Sequence, residues 1–279
     1  MTVIAVGGNG YTPDTEMIPI RPGVAPPMDW RGRLLYTDTR DGPRIDNCTA
    51  NAVTALRNEP EWAGVLAWDE FKQAIVCRKA PPWYPDDAPA NPDPRRPWSD
   101  TDGVRVQNWL RRKHKLSISP KESYFAALMV AEANSFDPVI SWICSLEHDM
   151  TSRVSTWLHR YLGAEDNAYT RFVGLAFLVS TVARILVPGE KVDTMPILEG
   201  PQGLYKSQAA RTLFGDELFS DTPLDLGTKD RFVGLRGLLC HEMAELDGWG
   251  KADIGRIKTF LSSPVDDYRP PYGQHNVRV

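Results

Sequence analysis

Seven prolines fall between Pro81 and Pro97, in the run PPWYPDDAPANPDPRRPW. Proline fixes its own φ, donates no backbone hydrogen bond and pushes the residue before it out of the helical region. This stretch can therefore be neither a helix nor a central strand, and the rest of the chain must be built before and after an extended linker or arm over 81–98. Trp83 and Trp98 flank the run and are expected to pin it to a folded body.

The segments on either side differ in character. Residues 1–32 read as a loose leader without periodicity, and 33–80 as a small α+β module. In that module Asn47 is the expected cap of a helix through Arg57, followed by short strands over 64–71 and 72–78. Beyond the arm, 99–190 reads as a helical domain. VRVQNWLRRKHKL (104–116) is amphipathic, and Ser119-Pro120-Lys121-Glu122 is a capping box that opens a helix to about Asn134. Further helices are expected after Pro138, from Ser152 to Leu162 with Gly163 closing it, and from Tyr169 to Leu186. Spacing assigns Trp109, Trp142 and Trp157 to the core. Over 191–279 the pattern becomes strand (192–200), helix (207–215), strand (237–246), helix (251–263), which signals a parallel α/β sheet.

Composition sets bounds on function. The net charge is −4, so no global field draws nucleic acid and any basic site is local. With 42% hydrophobic residues the chain can bury a core. The four cysteines are far apart, without a C-x-x-C or a nearby histidine pair, which excludes a zinc knuckle or disulfide framework. The most apolar run, 172–187, is too short to span a bilayer and contains Arg184. A soluble protein of a reducing compartment, the cytoplasm, is expected.

The chemistry rests on Gly200-Pro201-Gln202-Gly203-Leu204-Tyr205-Lys206-Ser207. A phosphate-binding loop needs inward-facing backbone N–H groups after a strand and a lysine for the β/γ-phosphates. A serine or threonine for Mg²⁺ must follow at a helix N-terminus. Each part is present in order, but Tyr205 stands where a glycine is usual. It is tolerable if its backbone stays out of the left-handed region and its ring turns away from the phosphates. Pro196 is a second oddity, removing a ladder donor from the expected strand. About 35 residues after Ser207, LLCHEMAE supplies Glu242 and Glu245 at the end of an apolar strand. These suit a magnesium-side acid and an acid that orients water. On spacing alone, a glycine-rich turn with a surface lysine and solvated acids is the alternative.

The stretches LGAEDNAYTRFVGLAFLVSTVARILVPGEKVDTMPILEGPQGLYKS and KDRFVGLRGLLCHEMAELDGWGKADIGRIKTFLSSPVDDYRPPYG resemble the virulence-associated protein E family. These are phage and prophage proteins similar to superfamily three helicases of the AAA+ class. The resemblance extends upstream through LAWDEFKQAIV, WSDTDGVRVQNWL and SFDPVISWICSLEHDM. It implies an α/β P-loop NTPase domain, here partial, that binds ATP and Mg²⁺ in replication of a mobile element. Gly200, Pro201, Gln202, Gly203, Leu204, Tyr205, Lys206 and Ser207 would line the phosphates, Glu242 and Ser207 would hold the metal, and Lys206, Glu242 and Glu245 would be catalytic. A polar sensor strand and a neighbour's arginine are expected after DYRPPYG, and the sequence reaches Val279 before either. Binding without turnover is therefore the alternative expectation, with a homo-oligomeric ring possible only when that C-terminal part is present. An unrelated P-loop phosphotransferase has no acceptor-site motif in its favour.

Single-stranded DNA is the partner the resemblance implies. His275 and Arg278, near the expected hairpin, are candidates to grip it. Arg111, Arg112, Lys113 and Lys115, with His114 and Trp109 beside them, form the densest basic run and could bind phosphate and stack a base. Cations at a helix C-terminus are equally well explained by the helix dipole.

Overall fold

The computed structural model describes residues 30–89, 97–187, 189–228, 231–244 and 251–263, together with the backbone of 267–268 and 277–278. Two compact units emerge, 1–145 and 146–279. The helices over 99–145 fall in the first unit and those over 146–190 in the second.

The first unit opens with the antiparallel hairpin of β1 (Tyr36–Thr39) and β2 (Gly42–Ile45), which the sequence reading does not contain. Helix α1 (Thr49–Asn58) follows, then the antiparallel pair β3 (Leu66–Asp69) and β4 (Ala74–Cys77). Cys48, not Asn47, is the N-cap of α1. The Asn47 side chain instead accepts from the backbone N–H of Ser117 at 2.7 Å, a tie across 70 residues that spacing could not show. Buried Asn51 holds the hairpin to α1: its amide accepts from the N–H of Leu35 and donates to the carbonyls of Leu35 and Asp46.

Helices α2 (Asp100–His114) and α3 (Pro120–Glu132) belong to the same unit. The Ser119 hydroxyl accepts from the Glu122 N–H while the Glu122 carboxylate accepts from the Ser119 N–H, as the capping box predicts. At the start of α2 the Asp102 carboxylate, fully buried, accepts from the N–H and hydroxyl of Ser99 and pairs with Arg105 at 2.7 Å. Strand β5 (Ser135–Phe136) adds to β3 in parallel, giving the order β4-β3-β5. Helix α4 (Pro138–Ser145) completes the unit, with Trp142 49% exposed rather than in the core. Spacing finds the helix but not which of its faces is covered.

The proline run belongs to this unit. Pro97 bridges to Val76 and the Trp98 N–H donates to the Ile75 carbonyl, so the returning end lies along the edge of β4. Trp83 meets Trp62 edge-on at 5.5 Å and Trp98 at 6.2 Å, and Trp62 meets Trp109 at 5.5 Å. The two flanking tryptophans pin the arm as expected, while residues 90–96 lie outside the described ones.

In the basic run at the end of α2, Lys113 and His114 are engaged by the body of the unit, and the other three cations are exposed. Lys113 pairs with Glu59 and Glu61 at 2.8 Å, and Arg112 lies over the Tyr84 ring. Trp109 is buried, which removes it as a stacking surface for a base. Arg111, Arg112 and Lys115 are exposed. His114 packs between the rings of Trp30 and Trp109, near Glu59. Its imidazole is pushed below the usual histidine value of 6.5 chiefly by burial, with Lys113 and Arg31 adding to the shift and Glu59 and Glu61 opposing it. The folded unit therefore favours the neutral ring, and the unfolded chain takes up the proton first. Stability is expected to fall as pH drops below about 6.5. Urea midpoints at neutral and mildly acidic pH should show this slope, and His114→Phe should flatten it.

The second unit carries α5 (Trp157–Leu162), α6 (Ala168–Leu186), α7 (Lys206–Phe214), β6 (Phe219–Ser220), α8 (Arg231–Leu235), β7 (Cys240–His241) and α9 (Lys251–Leu261). Strands β8 (Asp267–Tyr268) and β9 (Val277–Arg278) pair antiparallel. Gly163 closes α5 in the left-handed region, as expected, although the helix begins at Trp157 rather than Ser152. Helix α6 opens on Asn167, whose side chain accepts from the Thr170 N–H while the Thr170 hydroxyl accepts from the Asn167 N–H. The Trp157 indole donates to the Gly174 carbonyl at 3.0 Å. A Cβ at Gly174 would lie 2.8 Å from that indole nitrogen, so only glycine lets α5 and α6 approach this closely.

Candidate functional site

The site gathers around the N-terminus of α7. The expected strand over 192–200 is not formed: residues 190–201 have no regular structure, and Ile197 and Leu198 are exposed. Pro196 interrupts any ladder there, and among the described residues no strand pairs with this segment. The helix that follows lies where the sequence places it, within one residue of 207–215 at each end.

Gly200 and Gly203 take φ of 153° and 87°, conformations that glycine adopts without a Cβ clash. Tyr205 is the N-cap of α7 at φ 54° and ψ 31°, in the left-handed region, with 80% of its surface exposed. The condition on which a tyrosine was acceptable is thus not met. The turn demands left-handed backbone from whatever residue precedes the lysine, and here a bulky side chain adopts it at some cost.

The loop wraps its lysine. Lys206 Nζ donates to the carbonyls of Gly200 at 2.8 Å and Pro201 at 3.0 Å, using two of its three donors. The next residue reaches the acid the sequence singles out. Ser207 Oγ donates to Glu242 Oε1 at 2.7 Å, joining positions 35 residues apart.

Glu242 is placed by the short parallel pair of β6 and β7, in which Phe219 faces Cys240 and Ser220 faces His241. The Glu242 N–H then donates to the Ser220 carbonyl at 2.8 Å, fixing the residue just past the strand end. Of the expected strand over 237–246, Cys240–His241 is the part that forms among the described residues, and 245–246 lie outside them. The other carboxylate oxygen, Oε2, is buried and has no hydrogen-bond partner among the described residues. Burial lowers the proton affinity of His241 and pushes the Cys240 thiol up to about 11, so both neighbours of the acid are held neutral. Glu245 and His275 lie outside the described residues, and of Arg278 only the backbone, in β9, is described.

A cavity of about 490 Å³ opens over the loop and the start of α7, lined by Gln202, Tyr205, Lys206, Ser207, Arg211 and Asp221 among others. Arg211 is absent from the sequence reading. It lies one helical turn after Ser207, bonded to Asp221 at 3.0 Å and Asp216 at 3.4 Å, with its guanidinium over the Phe219 ring. The i, i+4 spacing from Ser207 was the available signal.

These residues fit a magnesium–nucleotide. Mg²⁺ is commonly held by one or two carboxylates with water and phosphate oxygens, and an unsatisfied buried carboxylate oxygen beside a serine hydroxyl is such a donor set. Among the described residues no group of three or more His, Cys, Asp or Glu offers a protein-only metal cage.

Among curated proteins no match to the chain is found. Residues 143–279 match the virulence-associated protein E-like domain, a span that begins close to the start of the second compact unit, and the match supports the virulence-associated protein E-like family for this half of the chain.

Proposed function

We propose that the second unit is a nucleotide-binding site for ATP and Mg²⁺, in a helicase-like P-loop protein that acts on single-stranded DNA during replication of a phage or prophage. The observation that carries this reading is the Ser207–Glu242 hydrogen bond, which brings the serine after the loop lysine onto an acid at the end of a neighbouring strand. Lys206 would exchange the carbonyls of Gly200 and Pro201 for phosphate oxygens. Ser207 and the free oxygen of Glu242 would hold the metal, and the N-terminus of α7 would contribute its partial positive charge. When bound, the magnesium–nucleotide supplies the transferable phosphoryl group.

Tyr205 favours a second reading, in which the chain binds nucleotide without turning it over and acts as an interaction protein. Its left-handed backbone and side chain occupy the step of the loop where close phosphate approach ordinarily calls for glycine.

Calorimetric titration with MgATP tests the proposal. Wild type is expected to bind and Lys206→Ala to lose binding. Absence of binding by a folded wild type would overturn the nucleotide-site assignment. Hydrolysis stimulated by single-stranded DNA separates the motor from the binding protein.

A further inference from the structure

We infer that the second unit self-associates through α6, pairing antiparallel with α6 of a second copy of this chain. One side of the helix is already covered within its own unit, where Gly174 and Phe177 pack on Trp157 and Phe177 also meets Phe214. The other side presents Ala168, Phe172, Leu175, Val179, Val182 and Leu186, all exposed, with Phe172 at 68%. Their spacing of 4, 3, 4, 3 and 4 residues is the a/d repeat of a helix–helix seam, sustained over the length of the helix.

The stripe complements itself. With α6 antiparallel to its copy and a positions set against d, Ala168 meets Leu186, Phe172 meets Val182 and Leu175 meets Val179. Every layer then sets a larger side chain against a smaller one. Parallel pairing would stack Phe172 on Phe172 and Val179 on Val179, leaving layers of unequal volume. The charges stay off the seam: Arg171 is tied to Asp166 through two hydrogen bonds, and Arg184 occupies the outermost heptad position. Six side chains with these exposures leave roughly 500 Å² of surface to cover, so a pair buries about 1,000 Å², the size a specific interface must reach.

A bilayer is the rival occupant: the apolar run 172–187 alone is too short to span, but α6 extends it to 19 residues, Ala168–Leu186, long and apolar enough by length and composition. A spanning helix would have to carry α5 and α7, packed on its other side, into the hydrocarbon, along with the charged surface of α7. A helical partner on one face requires neither.

Sedimentation equilibrium of the full chain across the micromolar range tests the inference. Wild type is expected to dimerise. Val179→Asp and Val179→Lys should both be monomeric with unchanged circular dichroism and melting. Phe172→Val and Val182→Phe should each weaken the dimer at least tenfold, and the double exchange should restore it, since the two residues face each other only in the antiparallel register. A wild type that stays monomeric, or a dimer indifferent to both Val179 variants, overturns the proposal. Failure of the double exchange to rescue overturns the antiparallel pairing. A monomer that sediments with anionic lipid vesicles, and loses this with Val179→Asp, assigns the face to a membrane instead.

Discussion

Trp62→Ala is expected to cost the first unit about 3–5 kcal/mol, the usual range for removing a buried tryptophan from a well-packed site. Trp62 is 2% exposed and touches Trp83 and Trp109 edge-on, so it couples the arm to α2 as well as filling the core. A domain with a total stability of about 5–15 kcal/mol would be left marginal. The buried indole nitrogen of Trp62 has no hydrogen-bond partner among the described residues, so the loss comes from packing and not from a broken hydrogen bond. Trp62→Phe keeps an aromatic ring and removes an unsatisfied donor worth about 1–3 kcal/mol, and should therefore cost far less than alanine. Urea denaturation followed by circular dichroism checks the pair. Equal losses in the two variants would show that the indole nitrogen is satisfied and that its bond carries the stability.

What the sequence made legible was mostly local chemistry. The Ser119–Glu122 box, the glycine after Leu162, the helix beginning at the loop lysine and the tryptophans flanking the proline arm were all readable because their determinants lie within a few residues. Pairing across distance was not. Nothing around Asn47 announced that it would serve Ser117 rather than cap α1, and β6, at two residues, is too short to leave a periodic signal. Trp142 has core-like spacing and is half exposed, because periodicity marks an apolar face without saying what covers it.

Prolines forbid helix and central strand, and from that a linker or an extended arm over 81–98 followed. They do not forbid an arm from lying on a sheet edge, which is what Pro97 and Trp98 do. The break between units falls instead after Ser145, where no comparable run of prolines marks it. At the candidate site the sequence supplied the loop, the lysine, the serine and Glu242. It could not show that the serine and the acid would touch, nor that Arg211 would lie between Asp216 and Asp221 beside the cavity.

Tyr205→Gly is expected to tighten MgATP binding at least tenfold, a gain of about 1.4 kcal/mol or more. The loop folds around Lys206, and on the proposed function a nucleotide would have to replace the carbonyls of Gly200 and Pro201 at that ammonium. Gly200 and Gly203 can change conformation freely, whereas Tyr205 holds a left-handed backbone that costs a non-glycine residue about 1–2 kcal/mol. Glycine removes both this strain and the Cβ beside the N-terminal amides of α7. Global stability should change little, because glycine also raises the entropy of the unfolded chain by an amount worth about 0.5–1 kcal/mol. Tyr205→Ala separates the causes: it keeps a Cβ in the left-handed region and removes only the exposed ring. Calorimetry that finds a gain with glycine and none with alanine locates the obstacle in the backbone and its Cβ. An equal gain with alanine locates it in the ring. Weaker binding with both would mean that the tyrosine ring contacts the nucleotide, and the strained turn would then be retained because that contact outweighs its cost.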